Sequence, residues 1–199
     1  MPELNNLPPK LDISLATEKY QLRILKPDDA SEKMASWFSD PHVVDMINVI
    51  NTRWDRGTVI GYINQYDQRD NVLLGLFVRE SGALIGIITL KINYTTRHAL
   101  LSVLIGDAEY RNQGAWSDIH VPFYDYIFDK LRLKMILASA LAKNKIIIDL
   151  MLRRGWKLDQ TLHRNVRSNS DDTMLDLCLF SLTRQSYRNW KKATHGRSH

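Results

Sequence analysis

A chain of 199 residues, 44% of them apolar, has room for one domain with a proper core. It holds no run of eighteen apolar residues, and its start, MPELNNLPPKLD, lacks a charged segment followed by an apolar one. Neither a membrane span nor a signal peptide is predicted, and a cytoplasmic location is expected. The net charge of +5 gathers at one end: Arg184, Arg188, Lys191, Lys192 and Arg197 have no acid among them, and positions 1–183 balance 22 basic against 22 acidic residues. That distribution argues against the broad basic face of a nucleic-acid binder and leaves only a basic tail, 184–199, to touch an anionic partner.

In chain order, residues 1–16 open with prolines and asparagines and are expected to be a loosely ordered arm. Tyr20 to Leu25 alternates as a strand. Pro27-Asp28-Asp29 opens a helix, with proline and acids where a first turn accepts them, and Met34, Trp37 and Phe38 share one face of it. Asp40-Pro41 begins a second helical stretch through Ile47. A third, around Thr52 to Gln65, aligns Val59, Ile60 and Ile63 and places Tyr62 four residues before Tyr66. The period then changes. Val72 to Arg79, Leu84 to Lys91 and Ala99 to Ile105 read as three strands joined by short turns, an antiparallel meander.

After the meander, Phe123, Tyr124, Ile127, Phe128 and Leu131 mark the buried face of a helix. Lys134 to Ala140 is a strand reached by that crossover, so it is expected to run parallel to the third meander strand. Asn144 starts a helix that Gly155 ends as its C′ residue. Trp156 to Leu162 and Met174 to Leu182 are two closing strands. The only cysteine, Cys178, lies in the second of them and reads as a small buried hydrophobe, which excludes a disulfide framework and a cysteine metal site. The expected architecture is one α/β domain with a mixed sheet, residues 17–183. No metal site is expected.

One stretch, RHALLSVLIGDAEYRNQGAWS at 97–117, organises the rest. A strand ending on Gly106, a short polar loop with Gly114 and a helix start form a natural pyrophosphate cradle, because loop amides and the positive helix end point at the same anion.

The order and spacing of these elements resemble the GNAT superfamily of acyl-CoA-dependent N-acyltransferases, in the branch of ribosomal-protein and small-amine N-acetyltransferases. The resemblance runs from about Tyr20 to Leu182. It is carried by Trp37 with the Asp-Pro after it, LIGIITLKI, IGDAEYRNQGAW, YDYIFDKL, and Asn144 eleven residues before Gly155-Trp156. It implies a mostly antiparallel sheet whose central strands splay in a V. It further implies that backbone groups of Leu104, Ile105 and Gly106 are free for the pantetheine amides of acetyl-CoA, as an added strand would use them. Arg111, Asn112, Gln113, Gly114, Ala115, Trp116 and Ser117 would hold the pyrophosphate, and Asn144 would approach the pantetheine arm. The closing strands are a frequent dimer surface in this fold, so a homodimer is one option.

Two departures stand out. Trp116 replaces the last small residue of the family loop and either swings outward or crowds the pyrophosphate. Pro122 lies inside the following helix, which therefore starts late or bends. The family's usual catalytic positions are also changed: Leu100 stands where many relatives carry glutamate, Met151 where many carry tyrosine, and Ile147 where others carry serine. By strand alternation His98 shares a face with Leu100 and Ser102 and is the candidate base. The resemblance implies transfer of an acetyl group from acetyl-CoA to a primary amine. The acceptor would be a small-molecule amine such as an amino sugar, or a protein N-terminus, near Asn48, Asn51, Trp54, Tyr62 and Tyr66. A non-catalytic binding or regulatory protein on the same fold is the alternative.

Overall fold

Alternation along the meander sorts its side chains onto two faces. Leu22, Leu74, Leu76, Ile88, Leu90 and Leu101 enter one core, and Leu73, Phe77, Ile87 and Leu104 face another. The computed structural model describes residues 8–48, 53–169 and 171–195. Asn51 and Arg197, singled out by the sequence, lie outside these residues. Eight strands form one sheet: β1 Ser14–Ala16, β2 Tyr20–Ile24, β3 Asn71–Val78, β4 Leu84–Asn93, β5 His98–Ile105, β6 Met135–Leu141, β7 Lys157–Arg167 and β8 Met174–Thr183. Their order is β1-β2-β3-β4-β5-β6-β8-β7, and every pairing is antiparallel except β5 with β6. This is the mixed, mostly antiparallel sheet that was expected.

The β5–β6 ladder is short. It pairs His98 with Met135, Ala99 with Ile136 and Leu100 with Leu137, and stops. Beyond it, β5 stays in register with β4 up to Ile105, and β6 stays with β8 up to Leu141. The sheet is thus two halves joined over three residue pairs and parted above them, the splayed V.

Helices cover the two faces. Helix α4, Ala115–Asp125, sends Ile119 and Phe123 into the first core. Helices α1, Glu32–Trp37, and α3, Arg56–Ile63, cover the second with Met34, Trp37, Val59 and Ile63. Between them lies α2, Pro41–Ile47, capped by Asp40, whose carboxylate accepts from the His42 amide at 2.9 Å. Helix α5, Lys145–Arg153, follows β6.

Several boundaries differ from expectation for local reasons. Pro27–Asp29 is a separate 3-10 turn, because Asp29 turns back to the Lys26 amide at 2.8 Å and pairs with Arg23 at 2.7 Å. Helix α1 then starts anew after Ser31, whose hydroxyl accepts from the Met34 amide. Helix α3 starts at Arg56 because Asp55 caps it through the Thr58 amide at 2.7 Å. Helix α4 does not start late. It begins at Ala115, and past Pro122 it loosens into a π-helical turn, Tyr126–Lys130.

The boundaries expected at residues 17 and 183 mark no break in the packing. Ile13 is 1% exposed, and β1 extends the sheet edge. At the other end α6, Arg184–His195, is no free tail. Tyr187 is 2% exposed and stacks on Phe128 and Trp190. Arg184 donates to the Phe128 carbonyl, Arg188 pairs with Asp129 at 3.1 Å, and Lys191 with Asp125 at 2.6 Å. Arg184, Arg188 and Lys191 therefore answer acids and carbonyls of the body. Among the described residues no helix is long and apolar enough to cross a membrane, and no His, Cys, Asp or Glu cluster is placed to hold a metal ion.

Candidate active site

The parted edge of β5 leads directly into the loop. Gly106 sits against Trp37: a Cβ there would lie 2.1 Å from the indole Cδ2 and 2.3 Å from Cε3, so only glycine fits. Asp107, 4% exposed, fixes the next turn by accepting from the Glu109 amide at 3.2 Å and pairing with Lys33 at 2.6 Å. Asn112 and Gly114 both take left-handed backbone, φ 60° and 81°, a sequence of turns that gathers N–H groups on one side. Gly114 is the N-cap of α4 and contributes no side-chain cap; nothing lies within 4 Å of where its Cβ would be. The amides of Ala115, Trp116 and Ser117 are the first N–H groups of the helix, without carbonyls of their own turn to donate to. Amides so placed at the positive end of a helix have the chemistry to suit an anion.

Arg111 plays a different part from the one expected. Its side chain turns inward, donating from Nε to the Ile105 carbonyl at 3.2 Å and from Nη2 to the Gly106 carbonyl, and pairing with Asp40 at 2.6 Å. The carbonyls of Ile105 and Gly106, expected to serve a pantetheine arm, thus each already accept one hydrogen bond from Arg111. Arg111 locks the end of β5 to the start of α2. Burial works against ionised Asp40, but the hydrogen bonds from Arg111 and the His42 amide prevail and hold its carboxyl below the usual range.

Trp116 neither swings outward nor crowds the loop. It packs down its own helix, its ring 6.3 Å from His120, 5.9 Å from Phe123 and 6.0 Å from Tyr124. The spacing 116, 120, 123, 124 is an aromatic stripe at helical period, and it was legible in the sequence. His120 is 4% exposed, and its Nδ1 lies 2.8 Å from the Ser117 carbonyl; since a carbonyl only accepts, Nδ1 carries the proton. The Ser117 hydroxyl in turn accepts from Nη2 of Arg154 at 2.5 Å, a residue that sequence spacing did not single out.

Asn144 is the N-cap of α5, its Oδ1 accepting from the Ile147 amide at 3.3 Å. His98 stands at the closed end of β5, opposite Asn93 and Met135, and lines a cleft of about 610 Å³ with Leu100, Leu137, Asp70, Lys91 and Asn93. Leu100 is 48% exposed there, beside the last rung of the β5–β6 ladder. The structure therefore brings His98 to the foot of the V and the 106–117 loop to its mouth.

The aromatics expected around an acceptor form a packed wall. Phe38 stacks on Trp54 at 4.0 Å, Trp54 meets Tyr62 edge-on at 5.8 Å, and the Tyr66 hydroxyl donates to that of Tyr62 at 2.8 Å. Burial pushes the Tyr62 hydroxyl far above its ordinary pKa, so it stays protonated. Asn48 is engaged too: it donates to the Arg167 carbonyl and accepts from the Asn169 amide, each at 2.8 Å.

With this geometry in hand, the comparisons with known proteins agree. The family model of the acetyltransferase (GNAT) domain matches residues 20–157, well over half of the chain. The chain belongs to the GNAT acetyltransferase family. Solved structures of similar fold include the ribosomal-protein-S5-alanine acetyltransferase of Vibrio fischeri, at 15% identity and a TM-score of 0.74 over 88% of this chain and 99% of that one. The spermidine N-acetyltransferase of Vibrio cholerae, in complex with CoA and spermine, gives 17% identity and a TM-score of 0.74 over 87% and 100%. A GCN5-related N-acetyltransferase from Brucella melitensis gives 14% and 0.74 over 97% and 90%. At such identities these likenesses speak for the fold. No curated protein matches the chain by sequence. As a GNAT acetyltransferase, it belongs to a family that uses acetyl-CoA.

Proposed function

We propose that this GNAT protein transfers the acetyl group of acetyl-CoA to the primary amine of a small molecule by direct attack. The observation that carries the reading is the parting of β5 from β6 above Leu100, running straight into a helix start with three uncommitted amides. The parted edge suits an extended amide-bearing arm, and the helix start suits a pyrophosphate. The amides of Asn112 and of Gly114 to Ser117 would hold that pyrophosphate, with Gln113, whose amide donates to the Tyr110 carbonyl, shaping the turn between them. Asn144, at the head of α5, would border the arm.

The amine nitrogen attacks the thioester carbonyl, the C–N bond forms, and the C–S bond breaks. The amine's surplus proton goes to His98 through water, and the departing CoA thiolate takes a proton from solvent. His98 lies two residues, about 6.6 Å along the strand, from Leu100 and shares its cleft. In the same cleft the Asp70 carboxylate would attract an ammonium group, and a volume of about 610 Å³ fits a small molecule. Transfer with so few acid–base groups leans on positioning, which supplies several kcal/mol by itself.

The exposed Leu100 favours a second reading, a protein that binds acyl-CoA without turning it over. Calorimetric titration with acetyl-CoA and CoA, followed by thiol release with a panel of primary amines, decides between them. Micromolar binding with amine-dependent thiol release is expected. Binding without release on any amine supports the second reading, and no binding at millimolar ligand overturns both.

A further inference from the structure

Two neighbouring arginines end α5 in contrasting ways. Arg153 is exposed and answered one turn back by Asp149 at 2.6 Å. Arg154 is turned into the protein. Its Nη2 donates to the Ser117 hydroxyl at 2.5 Å, while its Nη1 is sealed from solvent and meets no acceptor. Among the described residues it has no ion pair. Burial lowers its pKa, the nearby Arg153 lowers it further, and Tyr124 pulls the other way. A half-buried guanidinium with one edge unbonded carries a desolvation cost, and its bond to Ser117 sets it beside the first turn of α4, the positive end of that helix.

The position is built rather than incidental. Gly155 carries φ 81° and leaves no room for a side chain, since a Cβ would lie 2.9 Å from Trp190. The Trp190 indole donates to the Arg153 carbonyl at 2.9 Å. Helix α6 therefore grips the chain on both sides of Arg154 and holds its backbone in place. On the far side Ser117 is steadied through its carbonyl by His120. The Ser117 hydroxyl, bonded to the guanidinium through Nη2, belongs to the first turn of α4, whose amides lack partners in their own helix. A single anion at that helix start would answer the amides, the hydroxyl and the Nη2 edge of the guanidinium.

We propose that Arg154 is a phosphate ligand for the acyl-CoA donor, supplying the side-chain charge that Arg111 does not supply because it is committed to Asp40. This assignment rests on the acyl-CoA reading above. Two phosphate sources fit the chemistry, the pyrophosphate and the 3′-phosphate of CoA, and 3′-dephospho-CoA separates them.

The test is calorimetric titration of CoA and of 3′-dephospho-CoA into the wild type, Arg154→Gln and Arg154→Lys, with the Tm of each unliganded protein measured alongside. Arg154→Gln is expected to weaken CoA roughly 10- to 100-fold, and Arg154→Lys to recover part of the loss. The unliganded Tm of Arg154→Gln should stay level or rise, since a half-buried charge without an ion pair has been removed and glutamine keeps a donor for Ser117. Equal loss for both ligands places the guanidinium on the pyrophosphate; loss confined to CoA places it on the 3′-phosphate. Unchanged CoA affinity in Arg154→Gln overturns the assignment alone. So does a fall in its unliganded Tm or a failure to fold, which would mark a structural role. A wild type that binds neither ligand overturns the assignment together with the proposed function.

Discussion

The two ends of β5 are made from different materials. At the mouth of the V, the strand passes into Gly106, the Arg111–Asp40 lock and a helix start with free amides, every piece held by named contacts. At the foot, His98 and Leu100 line an open cleft with Asp70 and Lys91, and among the described residues no hydrogen bond is formed by the imidazole. On the proposed function, the mouth would receive an anion on a frame already fixed, while the foot would depend on the substrates themselves for its geometry. A large, constant donor and a variable acceptor would ask for that difference between the two ends.

The sharpest way to break that contrast is at the foot. His98→Gln should lower kcat by about 10²- to 10⁴-fold, the usual contribution of a positioned base, while CoA affinity stays at the wild-type value. Full activity in this variant would remove His98 from the chemistry and leave positioning to do the work.

At the mouth, Gly106→Ala drives a methyl group into the buried Trp37 indole. A loss of about 3 kcal/mol is expected, read as a fall in Tm, together with weakened CoA binding. Wild-type Tm in this variant would mean that the indole yields easily and that the strand end is less fixed than its contacts indicate.

Trp116→Ala should cost about 2 kcal/mol, less than a fully buried tryptophan because the ring is half-buried. It should bring no gain in CoA affinity. A gain would restore the idea of crowding.

The smallest effect is electrostatic. Asp40 and Asp29 are both held below the ordinary carboxylate range, because their arginine and amide partners outweigh burial. A depressed carboxyl stabilises the fold above its unfolded pKa, near 3.9, and the stabilisation is lost as pH falls through the lower folded value. Tm should therefore drop on acidification below about pH 4, and less steeply in Asp40→Asn. Identical acid profiles for the two proteins would mean that the Arg111 lock contributes nothing to stability.

Much of the mouth was legible in the sequence, because local rules write it. Gly114 and Gly155 sit where left-handed backbone is needed, Asn144 where a helix needs a cap, and strand alternation fixed the meander. What escaped depends on partners far along the chain. Arg111 turns inward toward Asp40, 71 residues away, and Arg154 meets Ser117 across 37. No local pattern announces either contact. Helix α6 is the intermediate case: Tyr187, Trp190 and Thr194 recur at helical spacing, but the surrounding basic residues suggested a solvated tail. At the foot Leu100 stands where the resemblance led one to expect an acid, so only alternation was left to nominate His98.

The fit of Gly106 against Trp37 has a consequence for how such a chain could change over time. The two positions are not independent characters. Any lineage that gains a side chain at 106 must first, or simultaneously, trade the indole at 37 for something smaller, and a lineage that shrinks residue 37 first releases 106 from its restriction. Of the two single-step routes, the one that starts at 106 meets the indole, so only the route that starts at 37 is open. Residues 37 and 106 are 69 positions apart in the chain and should be inherited as one.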